Sequence, residues 1–155
     1  MSLWDWSVAA YAAPGVAEAC LELQDKLGHN VPLLLWAAWT ALEGRPLDED
    51  VIEAAIDTAR AWSRSAIEPL RAVRRTLKTR IPDVADGPRE SVRAEVKALE
   101  LACERHLLEA LEALSPPASK PPRPVMEGLV PVARAWETVL PRPALQRLAD
   151  HLPAA

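Results

Sequence analysis

The sequence has no phenylalanine, one tyrosine and only five glycines among its 155 residues. So few glycines leave little material for a glycine-rich phosphate loop or a Gly-x-Ser-x-Gly elbow, and neither motif is present. The two cysteines are too few for the multi-bridge framework of a small secreted protein. These absences argue against a phosphate-binding loop, a hydrolase of the elbow type and a disulfide scaffold.

The chain also lacks an excess of positive charge and a long hydrophobic run. Eighteen Lys and Arg against 22 Asp and Glu give a net charge of −4, whereas a dedicated nucleic-acid-binding domain is usually basic. The longest apolar run, Val31–Leu42, is much shorter than the roughly 20 residues that cross a bilayer. Residues 1–5 carry no basic segment of the kind that opens a signal peptide. We therefore expect a cytoplasmic protein without a membrane partner.

The most abundant residue types of the chain favour helices. Alanine and leucine together supply 50 residues, whereas valine and isoleucine supply only 16. Most of the fifteen prolines fall at predicted helix starts or in one stretch after Ser115, so they do not interrupt the helical pattern. No convincing alternation of apolar and polar residues indicates a strand. We predict an all-α protein.

Apolar periodicity divides the chain into three parts. Residues 1–114 are predicted to form a compact bundle of five helices. Residues 115–124, half of them proline, are predicted to form an extended Pro-rich connector. Residues 125–155 are predicted to form a pair of short amphipathic helices that packs on the bundle. The third helix has Pro32 as an early residue and continues through Leu33–Leu42. It is apolar nearly all round and should therefore lie in the centre with Trp36 and Trp39 buried.

Two further expectations concern the longer helices. The fourth has Asp48, Glu49 and Asp50 in its first turn and contains Pro69, which should kink it near Ser65. The fifth runs from about residue 90 to residue 114. Its apolar stripe, which we expect to face the core, comprises Val92, Val96, Leu99, Cys103, Leu107 and Leu114.

Part of the chain is similar to a known family pattern. The matching residues are Leu3, Trp4, Ser7, Tyr11, Pro14, Gly15, Val16, Cys20, Leu21, Leu23, Gln24, Asp25, Gly28, Val31, Leu33, Leu34 and Leu35. In these residues the chain resembles a family of small uncharacterised proteobacterial proteins, defined only as a domain of unknown function. The resemblance is most specific over the first 45 residues and continues more weakly, through Trp62 and Pro69, to about residue 114. It implies a bacterial, cytosolic, helical protein and carries no activity with it.

Two clusters contain residue types used in catalysis or metal binding. The first comprises Cys20, Gln24, Asp25 and His29. The Cys20 thiol and the Asp25 carboxylate point about 140° apart around their helix and do not converge, so we expect Asp25 and His29 to be a polar pair that faces solvent at the helix end. In the second, Cys103 and Glu109 diverge by about 120°, whereas zinc needs three or four converging ligands. We therefore predict structural cysteines, no metal site and no cofactor, and we favour a protein that is not an enzyme.

Six cations of the fourth helix are predicted to share one face: Arg60, Arg64, Arg71, Arg74, Arg75 and Lys78. Arginine can hold a phosphate or carboxylate with two hydrogen bonds, so this basic face is a candidate site for an anionic partner. The alternative is a solvated face that neighbouring acids such as Asp57 and Glu68 neutralise. The negative net charge favours that alternative.

A third candidate is a pocket formed by aromatic and polar side chains. Ligand pockets are often lined by aromatic residues with a few polar groups. In a chain without phenylalanine, however, tryptophan must also fill the core, and this interpretation is favoured. The candidate pocket residues are Trp4, Trp6, Tyr11, Gln24, Trp36 and Trp39.

Three functions therefore remain open from the sequence. An interaction or adaptor protein with a protein partner is favoured, because no acid, base and nucleophile converge. The second hypothesis is binding of an anionic ligand or a nucleic-acid backbone on the basic face. The third is binding of a small molecule in the tryptophan-lined pocket.

Overall fold

A computed structural model describes all 155 residues, and every regular element in it is a helix. The prediction of an all-α protein is confirmed. The α-helices are α1 (Leu3–Ala12), α2 (Val16–Leu21), α3 (Val31–Leu42), α4 (Glu49–Trp62), α5 (Glu68–Thr76), α6 (Asp86–Leu114), α7 (Val125–Trp136) and α8 (Arg142–His151). Two π-helical turns are also present. Glu22–Lys26 extends α2, and Ser63–Ile67 joins α4 to α5. The chain therefore forms seven continuous helical rods. None of these helices combines the length and the apolar character needed to span a bilayer.

Helix α3 occupies the centre of the fold. Its eleven residues from Val31 to Ala41 are all buried. Trp36 and Trp39 are 0% and 1% exposed, as predicted. A helix without a polar face must be covered on every side. Helices α1, α4, α6 and α7 provide that cover.

The long helix changes its hydrogen bonding just before Pro69. A proline at this position has no N–H to donate to the carbonyl of Ser65, and its ring clashes with that carbonyl. The chain accommodates the ring with the wider π-helical turn Ser63–Ile67, in which Glu68 donates its N–H to the carbonyl of Ser63. A π-helical turn therefore lies at the position where a kink is predicted, and α5 continues after it.

The core face of α6 differs from the prediction. Val92, Leu99 and Leu114 are 47%, 54% and 37% exposed, so their assignment to the core is wrong. The first part of α6 faces α5, which buries none of its own residues and offers little apolar cover. The buried residues of α6 are Arg89, Glu100, Cys103, Leu107, Leu108 and Leu111.

The segment 115–124 has no helix and runs along the end of α3. Ser119 and Lys120 donate their backbone N–H groups to the carbonyl of Gly44 at 3.1 and 3.0 Å, and Arg123 donates to that of Ala41 at 2.9 Å. The chain then enters α7 and α8, whose buried side chains belong to the same core cluster as α3. These side chains are Leu129, Val132, Ala133, Ala144, Leu145 and Leu148.

Gly128 lies where α7 crosses α3. A Cβ atom at this position would collide with the carbonyl oxygen of Ala37 and would lie 2.9 Å from the Cβ of Ala41. Only glycine lets the two helix backbones approach so closely. The cover that α7 gives to α3 therefore depends on this residue.

We expect Gly128→Ala to lower the free energy of unfolding by about 1–3 kcal/mol, because the added methyl group forces the two helices apart. Gly87→Ala is the matched control, since a Cβ atom at Gly87 meets no atom within 4 Å. The control should leave the stability unchanged or raise it slightly. Urea denaturation followed by circular dichroism measures both effects, and equal stabilities of the two variants would contradict the assignment.

Candidate ligand-binding cleft

A cleft of about 550 Å³ lies between α1, the start of α3 and the middle of α6. Small-molecule pockets typically enclose roughly 300–1,000 Å³ and are largely apolar. The main apolar side chains of this cleft are Trp4, Val8, Tyr11, Leu35, Leu101 and Leu108. Its size and lining therefore suit a small organic ligand.

Side-chain caps hold the helices around the cleft in place. The N–H of Leu3 donates to Oε2 of Glu112 at 3.0 Å, which joins the start of α1 to the end of α6. Asn30 caps α3, because its Oδ1 accepts from the N–H of Leu33 at 2.9 Å. The Nδ2 of the same Asn30 donates to Oγ of Ser63 at 2.9 Å. The start of α3 is thereby joined to the π-helical turn between α4 and α5.

One wall of the cleft contains a buried hydroxyl group without a partner. Ser7 is 4% exposed, and its Oγ makes no hydrogen bond within the protein. An unsatisfied buried polar atom costs about 1–3 kcal/mol. A ligand that reaches Ser7 could therefore gain a hydrogen bond there.

A smaller polar pocket of about 70 Å³ adjoins the cleft. Both cavities are lined by Gln24, Val31, Pro32 and Glu104, so they are neighbours. His29 lines the polar pocket, is 4% exposed, and has no hydrogen-bond partner on either ring nitrogen. Burial lowers the pKa of His29, which favours the neutral imidazole at pH 7.

An ionic network lies beside this pocket. Arg74 Nε donates to Glu100 Oε2 at 2.6 Å, and Arg71 Nε donates to Glu100 Oε1 at 3.1 Å. Burial alone would raise the pKa of Glu100, but hydrogen bonds from Arg74 and Arg71 outweigh it, and the pKa is lowered. The pKa of Glu104 is raised, first by burial and then by the charge of Glu100, although Arg71 Nη2 lies 3.5 Å from Glu104 Oε1.

Three of the six cations of the predicted basic face are paired with acids. Arg71 and Arg74 are bound to Glu100, and Arg75 Nη2 donates to Oδ1 of Asp25 at 2.8 Å. These two acids lie on α6 and on the π-helical turn after α2. The neutralising acids therefore come from other helices, not from Asp57 and Glu68 of the same rod.

The remaining three cations are in different surroundings. Arg60 Nη2 donates to the carbonyl of Trp136 at 3.1 Å, and its guanidinium lies 5.3 Å from the ring centroid of the same residue. Arg64 and Lys78 are exposed and take part in no salt bridge. The six cations thus do not form one free cationic surface.

The aromatic candidate set divides into two groups. Trp4, Tyr11 and Gln24 line the cleft. Trp6, Trp36 and Trp39 are buried in the core and do not line it. Trp6 Nε1 donates to the carbonyl of Ala154 at 3.1 Å, and Trp36 Nε1 donates to Oγ of Ser115 at 2.8 Å. Only the first group belongs to the candidate site.

The cysteine and histidine clusters do not form a reactive centre. Cys20 and Cys103 are free and buried, and burial raises the pKa of the Cys20 thiol to about 12. His106 Nδ1 lies 3.2 Å from Oε2 of Glu109 on the surface of α6. No group of three or more His, Cys, Asp or Glu side chains is arranged to hold a metal ion.

Sequence reasoning did not identify Ser7, Glu100 or Glu104 as site residues. It grouped His29 with Cys20 and Asp25 and expected it to face solvent at the helix end, but His29 is 4% exposed, so that expectation is wrong. Of the missed residues, Glu100 could have been identified from the sequence pattern. Glu100 falls within about 60° of Cys103 and Leu107 around the axis of α6, so it is an acid inside an apolar stripe. Such a residue needs a partner when it is buried. The sequence pattern does not indicate that Arg71 and Arg74 supply it.

The fold and the site define an all-helical protein with an apolar cleft beside a small polar pocket. Residues 2–111 match the family model described as Protein of unknown function (DUF2390), and the chain belongs to this family. The membership in a family of unknown function that the resemblance implied is thereby confirmed. Comparison with curated proteins and with solved structures finds no match.

We expect Glu100→Gln to lower the free energy of unfolding by about 2–3 kcal/mol at neutral pH, because Arg71 and Arg74 lose their shared charged partner. The pKa of Glu100 is lower in the folded than in the unfolded chain. Its contribution is therefore present at neutral pH and is lost as the pH falls through the lowered pKa. The difference between the variant and the wild type should shrink below about pH 4.

Urea denaturation at several pH values measures this difference. Glu95→Gln is the control, because Glu95 is an exposed carboxylate on the same helix and forms no salt bridge. It should change the stability little at any pH. A difference between wild type and Glu100→Gln that stays constant into acid would contradict the role of the ion pairs.

Proposed function

We propose that the protein binds a small apolar or amphipathic molecule in the cleft between α1, α3 and α6. The observation that carries the proposal is an apolar cleft of about 550 Å³ with polar atoms that lack partners in and beside it. Apolar walls supply affinity, and a few polar groups orient the ligand. Ser7 in the cleft and His29 in the adjoining pocket are such groups.

The exposure of the cleft side chains supports the same proposal. Val8, Tyr11 and Leu101 are 51%, 42% and 54% exposed, although all three are mainly apolar. Covering apolar surface is worth roughly 25 cal/mol per Å². Scattered exposed apolar residues need no explanation, but a concave group of them is typical of a ligand site.

Binding is favoured over catalysis because the site has no activated nucleophile. Cys20 is the nearest candidate by residue type, but a thiol with a pKa of about 12 stays protonated and unreactive at neutral pH. Ser7 has no base within hydrogen-bonding distance. We therefore infer a binding protein that does not change its ligand.

The other hypotheses have less support. Four of the six cations of the basic face already contact acids or Trp136, so binding of an anionic ligand or nucleic acid there would depend on Arg64 and Lys78. A protein partner remains a prediction for the exposed apolar side chains of α5 and α6, such as Val73, Val92 and Leu99. A bacterial, cytoplasmic setting remains the expectation, and the two free cysteines are compatible with a reducing compartment.

We expect the wild type to bind Nile red, a neutral dye that becomes fluorescent in apolar sites, saturably and with one molecule per chain. Leu101→Lys should weaken this binding by about tenfold or more, because a charged group would enter the apolar cleft. Leu99→Lys should bind the dye like the wild type. Leu99 and Leu101 are both 54% exposed on α6, but only Leu101 lines the cleft.

Both variants should fold normally, since neither side chain belongs to the buried core. Circular dichroism and thermal unfolding check this directly. Equal affinities of the two folded variants, or dye binding that never saturates in the wild type, would overturn the proposal.

A further inference from the structure

We propose that the ligand is a cationic amphiphile, whose ammonium group binds in the polar pocket beside Glu104 while its apolar body lies along the cleft. This inference rests on the proposed function and specifies the class of ligand.

The shapes of the two cavities support an amphiphile. The cleft of about 550 Å³ and the polar pocket of about 70 Å³ share four lining residues, so they lie side by side, and the proposed ligand spans both. The pocket has room for a head group of only a few atoms. The cleft is lined mostly by apolar side chains, whereas the pocket is lined mostly by polar ones. A ligand that occupies both must therefore have one apolar and one polar end.

The charges around the pocket favour a positive head group. Its lining includes two carboxylates, Glu68 and Glu104, and one guanidinium, Arg71. That guanidinium is already engaged, because Arg71 Nε donates to Glu100 at 3.1 Å. Burial and the charge of Glu100 both raise the pKa of Glu104, so its carboxylate is only partly compensated by Arg71. A positively charged ligand group would neutralise the rest of the negative charge on Glu104.

The hydrogen-bonding groups favour the same choice. An ammonium group has three N–H donors and no acceptor. The carboxylate of Glu104 supplies acceptors, and a neutral imidazole at His29 supplies one acceptor nitrogen. Both ring nitrogens of His29 are buried without a partner, and His29 lines the pocket. An ammonium group would thus satisfy a buried atom that the protein leaves unsatisfied.

The start of α3 also lines the pocket, and a helix N-terminus commonly binds anions through its free N–H groups. At the N-terminus of α3, fewer N–H groups are free to bind an anion. Pro32 has no N–H, and the N–H of Leu33 already donates to Oδ1 of Asn30 at 2.9 Å. An anionic head group would therefore find few donors and two carboxylates.

Displacement of Nile red by three amphiphiles with the same chain length tests the inference. Decylamine, decanol and decanoate differ only in the charge and chemistry of the head group, and each is used at neutral pH below its micelle-forming concentration. Decylamine should displace the dye at a concentration about tenfold lower than either of the others, because its head group gains a charge-assisted hydrogen bond.

Glu104→Gln should remove the advantage of decylamine and leave displacement by decanol unchanged. The unchanged response to decanol shows that the cleft of the variant is intact. Glu109→Gln is the matched control, because Glu109 lies on the same helix but does not line either cavity. This control should keep the full preference for decylamine.

Each opposite result has a definite meaning. If decanoate displaces the dye as well as decylamine, or if Glu104→Gln keeps the preference, a cationic ligand is ruled out while dye binding in the cleft still supports the proposed function. If the wild type does not bind the dye saturably, or if Leu101→Lys leaves binding unchanged, the proposed function and this inference both fail.

Discussion

The complete burial of α3 is the constraint on which the arrangement of the other helices depends. Eleven consecutive residues of this helix are buried, so no side of it can face water. Helix α7 contacts it most extensively, where Gly128 allows a close crossing, and α1, α4 and α6 cover the other sides. The first turns of α3 border the cleft, which Val31, Pro32 and Leu35 help to line. The candidate site therefore adjoins the first turns of the central helix.

The second organising interaction is the pairing of Glu100 with two arginines. A buried ion pair often adds little net stability, but its loss is costly because it leaves a charge without a partner. The pairing connects α5 to α6, because both arginines lie on α5 and Glu100 lies on α6. It also affects the site, because Arg71 is shared between Glu100 and Glu104. The strong contact with Glu100 leaves Glu104 less well compensated beside the polar pocket.

The sequence predicts those features of the fold that depend on local pattern. Composition and periodicity predict the helical class, and the apolar run Val31–Leu42 predicts the central helix, because both follow from residues close together in the chain. The core face of α6 is predicted wrongly at Val92 and Leu99. Periodicity shows which side of a helix is apolar, but it does not show how far the neighbouring helices extend along it.

The candidate site is predicted less completely for a similar reason. Helical spacing places Arg71, Arg74 and Arg75 on the long helix, but their partners Glu100 and Asp25 belong to other rods. Only the tertiary fold brings these residues together. In the same way, a cavity is a gap between helices, so the sequence gives no means of deciding that Trp4 borders one whereas Trp36 fills the core.

The position of the family match along the chain separates the two parts of the site. Every residue that lines the cleft, from Trp4 to Leu108, lies within the matched residues 2–111. The polar pocket, in contrast, includes Trp136 of α7, which lies outside the match. Trp136 is held there because its Nε1 donates to the carbonyl of Gly28 at 2.9 Å and Arg60 lies over its ring. The part of the chain that matches the family therefore builds the apolar cleft alone, whereas the surroundings of a ligand head group also depend on the C-terminal helices of this chain.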